Sequence, residues 1–262
     1  MPRPSPLPLV RVVLAWLPLS LLLSGCGAPY KGIVKPVTSL SKLSPELENL
    51  SDFAIDAHLK GDVQPVFPCS LAIAKLQTPR TWSGYASSEK AVLVVPGGDE
   101  AAAWRKLADP SPDGASPIDQ VHFISGLLAE SQPTLKNLRD AAALVRAPLL
   151  LVYLQADTSD SGYNDAAMAY WTFIGLFVVP GNRVGHYTAC QAVLVDTRTG
   201  MVVATADGEG QREEDVLPGA VDIAEDRVER EAQAEALKAV QANVRQVILE
   251  LSRRTAASGP AE

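Results

Sequence analysis

Pro148-Leu-Leu-Leu-Val-Tyr-Leu154 decides the fold of this 262-residue chain. A continuous apolar run of strand length reads as a central strand covered on both faces. Such a strand needs neighbours in the sheet and helices above and below it, and both can be found by working outward. Upstream, Thr134–Val145 carries Leu135, Leu138, Ala142 and Leu144 or Val145 near helical spacing, with Pro133 at the entrance, where a missing N–H is harmless. Before that helix, Ile118–Ile124 and Ala91–Val95 read as strands. Between them Asp99 is placed to cap a helix over Glu100–Ala108. Ser70–Leu76, bracketed by Pro68 and Pro79, is a further strand, and residues 79–90, with Trp82 and Tyr85, read as a loop.

Downstream the character changes. Asp157–Asp165 reads as a solvated acidic loop. Ala169–Val179 is rich in β-formers, ends at Pro180-Gly181-Asn182, and reads as a buried strand. His186–Val195 and Met201–Ala206 flank Asp196-Thr-Arg-Thr-Gly200, a hairpin loop with glycine where a positive φ is wanted. Val221–Arg253 is a long helix with Val228, Leu237, Val240, Val244, Ile248 and Leu251 on one stripe. The expected class is α/β (α+β): one mixed-sheet domain, βαβαβ followed by a β-meander and a long C-terminal helix.

The N-terminus has a different logic. Arg3 and Arg11 precede the apolar run Val12–Leu23, and Leu23-Ser24-Gly25-Cys26 closes it. A basic start, an apolar core and small residues before a cysteine make a lipoprotein signal. The run is too short for a helical span and Pro18 interrupts it. Cleavage before Cys26 would leave its sulfur carrying diacylglycerol and its amine open to a further acyl chain, enough for stable anchoring. The expected organisation is a signal over 1–25, a lipidated N-terminus and flexible tether over 26–64, the domain over 65–255, and a disordered tail over 256–262. The expected address is the bacterial envelope. Gly27, rather than Asp, after the cysteine points to the outer membrane, facing the periplasm.

Charge narrows the partners. The chain has 23 Lys and Arg against 30 Asp and Glu. Loss of Arg3 and Arg11 with the signal leaves 21 against 30, a net charge of −9. That argues against nucleic acid, which is gripped by neutralising phosphates, and against a polybasic hold on anionic lipid.

Candidate chemistry is sparse. With Cys26 lipidated, Cys69 and Cys190 remain; outside the cytoplasm they form either a disulfide or two buried thiols. Asp157, Gly162 and Asp165 evoke a calcium loop, but Ser159, Ser161 and Met168 occupy ligand positions, and the twelfth position needs a bidentate Glu. His58, His122 and His186 have no metal spacing and read as structural. Val95-Pro-Gly-Gly-Asp99 sits where a phosphate loop would but lacks the lysine and the glycine pattern. No Gly-x-Ser-x-Gly elbow is present. No cofactor or metal is expected. Tyr170-Trp171 and the run behind them could also touch a membrane interface.

Two family resemblances follow. The lipobox, the βαβαβ layout, Val193-Leu-Val-Asp-Thr-Arg-Thr-Gly200 and the terminal helix resemble curli-secretion channel lipoproteins and related periplasmic assembly lipoproteins. Leu149–Tyr153, Ala169–Gly181 and Thr188–Thr199 resemble the rhombotarget lipoproteins over about 149–206. That resemblance implies association with a rhomboid-type sorting protease but no known activity, and it carries no functional residues across. The chain ends Ala-Ala-Ser-Gly-Pro-Ala-Glu262, so direct processing by such a sortase is not expected. The expected function is a non-enzymatic envelope accessory or scaffold acting through protein contacts. The alternatives are an oligomeric secretion or assembly component, whose mark would be self-association, and a hydrolase without a standard motif.

Overall fold

A computed structural model describes residues 30–33, 65–77, 91–110, 114, 116–171 and 175–258. The elements are β1 (Cys69–Gln77), β2 (Val92–Val94), α1 (Gly98–Arg105), β3 (Ile118–Phe123), α2 (Leu135–Leu144), β4 (Leu149–Tyr163), α3 (Gly175–Val178), β5 (Asn182–Asp196), β6 (Val202–Val216) and α4 (Val221–Ser258). They form one six-stranded mixed sheet. β1 is parallel to β4 on one side. On its other side it pairs with β3 in parallel and with β2 antiparallel. β4, β5 and β6 then run antiparallel. This is the expected α/β class.

Leu149–Leu154 is buried on both faces, as a central strand should be. One face carries Leu71, Ile73, Leu149, Leu151, Tyr153 and Leu194 under α1 and α4. The other carries Ala72, Leu150, Val152, Leu154 and Val193 under α2.

Helix α2 matches expectation closely. Thr134 caps it: its Oγ1 accepts from the Asn137 N–H, and Asn137 Oδ1 accepts from the Thr134 N–H. It ends in a Schellman motif, with Arg146 N–H donating to Ala143 O and Ala147 N–H to Ala142 O. That motif places Arg146 at φ 57°, in the left-handed region.

Four expectations need correction. Asp157–Asp165 is not a loop; β4 continues to Tyr163, and its ladder with β5 runs to the Tyr163–Asn182 pair. Main-chain pairing holds this polar stretch in place, so its side chains need not be apolar. Ala169–Val179 is not a strand: a 3-10 turn covers Asp165–Trp171 and α3 follows. The first meander strand is therefore β4. The N-cap of α1 is Gly97, with no side-chain cap; Asp99 lies in the first turn, where its charge favours the helix dipole. Finally, α4 runs on to Ser258, into the segment expected to be tail.

The β4–β5–β6 ribbon outgrows the two-sided core and ends in a tip where Tyr163, Asn182 and Val216 lie side by side. Here the chain near the N-terminus docks. Tyr30 N–H donates to Tyr163 O, and Lys31 N–H to Asp160 Oδ2. A Cβ on Gly185 would lie 2.5 Å from the Tyr30 hydroxyl and 2.9 Å from Ile33 Cδ1. These four residues are thus fixed on the sheet rather than part of a tether; the rest of 26–64 lies outside the described residues.

Helix α4 buries Ala224, Val228, Ala232, Ala236, Val240, Val244 and Ile248, a row of every fourth residue. At 3.6 residues per turn, each step of four drifts by about 40°. Such a row stays buried because the ribbon beneath it twists as well.

Candidate functional site

Alternation along β5 puts Cys190, Thr188 and His186 on the α4 side of the sheet. The register brings Asp157 of β4 opposite Thr188. The result is a closed polar cluster. Asp157 Oδ1 accepts from Thr188 Oγ1 at 2.7 Å and from His186 Nε2 at 3.2 Å. Gln233 of α4 adds a long contact to the same oxygen at 3.4 Å. Oδ2 accepts from Gln155 Nε2 at 3.0 Å. Because an ionised carboxylate only accepts, Nε2 is assigned as the protonated ring nitrogen.

Both side chains of the Asp157–His186 pair are 5% exposed. Burial pulls the Asp157 carboxyl upward, but the hydrogen bonds from His186 and Thr188 and the charge of His186 outweigh it. The net shift is below the ordinary carboxylate range.

Further along the same face lies a second polar group. Lys75 Nζ bonds both oxygens of Glu100 from α1, at 3.0 and 2.8 Å. Tyr153 donates to Glu100 Oε1 at 2.7 Å. Trp104 packs on the Tyr153 ring with centroids 5.0 Å apart. Burial first, then the Glu100 charge, raise the Tyr153 pKa. Cys190 lies between the two groups. Burial first, then Asp157, push its thiol up to about 12.

Chemistry must be judged on this geometry. Cys190 and His186 are four residues apart on one strand, about 13 Å at the usual rise, too far for a nucleophile and its base. The raised thiol pKa also disfavours the thiolate. Ser159 stands opposite His186 in the register, but no side-chain hydrogen bond joins them among the described residues. An open groove of about 320 Å³, bordered by Ala189–Val193 and Thr205–Glu209, includes neither Asp157 nor His186. Among the described residues no group of three His, Cys, Asp or Glu could hold a metal. The Gln233 contact ties the cluster to α4.

The remaining sequence candidates fall as follows. Cys26 and His58 lie outside the described residues. His122 is half-buried on β3. Cys69 and Cys190 are both buried free thiols. Cys190 pairs with Gln155, and Gln155 with Gln77, eight positions along β1 from Cys69. At about 3.3 Å per residue that is roughly 26 Å, far beyond the roughly 7 Å between Cα atoms that a disulfide allows. Of the two alternatives for this pair, the structure shows the buried thiols. Burial first, then Asp119, push Cys69 up to about 12.

Sequence reading missed the Asp157–His186 pair. Its signal was present in His186-x-Thr188-x-Cys190, three chemistry-bearing residues at period two. The supposed strand at 169–179 hid it by separating β4 from β5.

No protein-family model matches the chain, and comparison with curated proteins finds no match either. Solved structures give distant likenesses. Lipoprotein GNA1162 from Neisseria meningitidis shares 11% identity at a TM-score of 0.32, over 62% of this chain and 95% of that one. A candidate lipoprotein from Caulobacter crescentus CB15 shares 20% identity at 0.21, over 48% and 84%. Protein XCC0632 from Xanthomonas campestris shares 15% at 0.27, over 76% and 90%. Likenesses at these scores carry no function across.

Proposed function

We propose that this chain is a lipid-anchored protein of the bacterial cell envelope, held by acylated Cys26 on the periplasmic face of the outer membrane. It acts through protein contacts as an accessory or scaffold rather than as an enzyme. The observation that carries the reading is Leu23-Ser24-Gly25-Cys26 at the end of a short apolar run behind two arginines. The mature charge of −9 supports acyl chains, rather than basic residues, as the grip on lipid. The Asp157–His186 cluster supports a non-catalytic role, because its hydrogen bonds are spent on one another and on α4.

Mass spectrometry of the mature N-terminus tests the anchor. Acylated Cys26 as the first residue is expected, and a retained Met1 or an unmodified cysteine would overturn the reading. Crosslinking in a bacterial host, followed by capture of the anchored protein, tests the role. A defined partner set is expected; hydrolysis of envelope substrates by the purified protein, lost in Asp157→Asn, would make it an enzyme instead. Light scattering in detergent separates the scaffold from the oligomeric alternative. A monomer is expected, since β6 presents Glu209, Glu213 and Glu214 along its length, and charge discourages edge-to-edge pairing.

A further inference from the structure

The tip of the β4–β5–β6 ribbon gathers exposed apolar side chains from two connections and from the start of α4. Met168 is 75% exposed, Phe177 64% and Val178 65% in the β4–β5 connection; Leu217 is 38% exposed after β6, and Ile223 69% in the first turn of α4. The register places them together, because Tyr163 pairs with Asn182 and Asn182 with Val216. Residues 164–181 contain one charged side chain, Asp165, and no Lys or Arg. Exposed apolar residues concentrated at one end of a molecule mark a contact surface.

Where the chain enters the fold indicates what covers this end. Tyr30 N–H bonds Tyr163 O at the last residue of β4, and Lys31 bonds Asp160 three residues further in. The chain before Tyr30 therefore leaves the domain at the tip. Cys26 is only four residues upstream, at most about 14 Å of extended chain.

We infer that the apolar tip rests on the lipid bilayer that holds the Cys26 acyl chains, with Met168, Phe177 and Val178 in the interfacial layer. This rests on the lipoprotein reading above. The occupant is lipid because the acyl chains cannot lie further from the tip than the four-residue leash allows. The lack of basic residues in 164–181 makes the contact apolar rather than electrostatic, so it does not need anionic lipid. Among the described residues no helix is long and apolar enough to cross a membrane.

The test uses the acylated protein in phosphatidylethanolamine vesicles. Met168→Cys, Val178→Cys and Thr199→Cys each carry an environment-sensitive fluorophore; Thr199 lies at the opposite end of the ribbon, beyond Asp196. Cys69 and Cys190 are buried and do not take the label. At 168 and 178 the emission should shift to the blue and be quenched by nitroxide lipid labelled near the headgroup; at 199 neither should occur. Added salt or phosphatidylglycerol should change nothing. Mass spectrometry of the same vesicles separates the two readings. Acylated Cys26 with unquenched probes at 168 and 178 overturns the tip contact alone, whereas unacylated protein overturns both. A blue shift without nitroxide quenching assigns the tip to a second copy of the chain and overturns the lipid contact.

Discussion

His186 Nε2 lies 3.2 Å from Asp157 Oδ1, inside the sheet's contact with its longest helix. Thr188, Gln155 and Gln233 also donate to Asp157, so removing the carboxylate takes away the acceptor these donors share with His186. Asp157→Ala should cost about 3–5 kcal/mol, as for one broken half of a buried pair. Asp157→Asn, which keeps one acceptor oxygen, should cost about 1–3 kcal/mol. Urea titration followed by circular dichroism reads both; equal midpoints for wild type and Asp157→Ala would remove the cluster from the fold's energetics.

The same carboxyl sets an acid dependence. Its folded pKa lies below its unfolded value of about 3.9. Its contribution is therefore fully present above that value and is lost as pH falls through the folded pKa. Stability should drop below about pH 4, and Asp157→Asn should reduce that slope. Some slope should remain, because the hydrogen bonds from Arg183 hold Asp215 low as well. A variant with the full wild-type acid slope would count against Asp157 as its source.

Gly208 and Gly210 of β6 have no room for a side chain. A Cβ on Gly210 would run into Ala232 O, and one on Gly208 into Ala236 O and Val240 N, all in α4. Gly210→Val should cost about 1–3 kcal/mol by overpacking, whereas Gly219→Ala, with open space around it, should be near neutral. Thermal melts of the two variants make the comparison, and equal melting temperatures would refute close packing of α4 on β6.

Arg146 occupies the left-handed position after α2, where a side chain is strained and glycine is not. Arg146→Gly should stabilise the protein by about 1 kcal/mol despite the extra freedom of glycine in the unfolded chain. A lower denaturation midpoint would mean that the Arg146 side chain makes compensating contacts.

Cys69 and Cys190 should both be slow to react with a thiol reagent in the folded protein, since burial raises both to about 12. Unfolding without reductant should release two titratable thiols. A count of zero would show a disulfide and contradict the register that separates them.

Sequence alone made some elements legible because their signals are local. Leu149–Leu154 is apolar on both faces, Pro133 stands at the entrance of α2 and Leu135, Leu138 and Ala142 recur at helical spacing along it, and Gly200 takes φ 79° in the expected turn. Other elements depend on partners distant in the chain. Residues 157–163 form strand because β5 pairs with them, although their side chains read as loop. Gly208 and Gly210 weaken the strand signal of β6 for the same reason that they are needed there: α4 approaches the backbone closely. Ala169–Val179 shows the converse. β-formers express fit to a half-buried pleated surface, and here Phe177 and Val178 are exposed. The polar cluster was hidden because it exists only in the β4–β5 register.

Tyr30, docked on the end of β4, sets the reach of the molecule. A protein on a long leash searches a volume; one fastened four residues from its anchor does not. With Cys26 acylated, the anchor stands four residues before Tyr30 in the sequence. The working distance is then fixed by the ribbon itself, whose 15-residue strands measure roughly 50 Å at the usual rise. Any partner met at the far end, around Arg198, must come to that height or be held there, so the protein would serve as a spacer of set length.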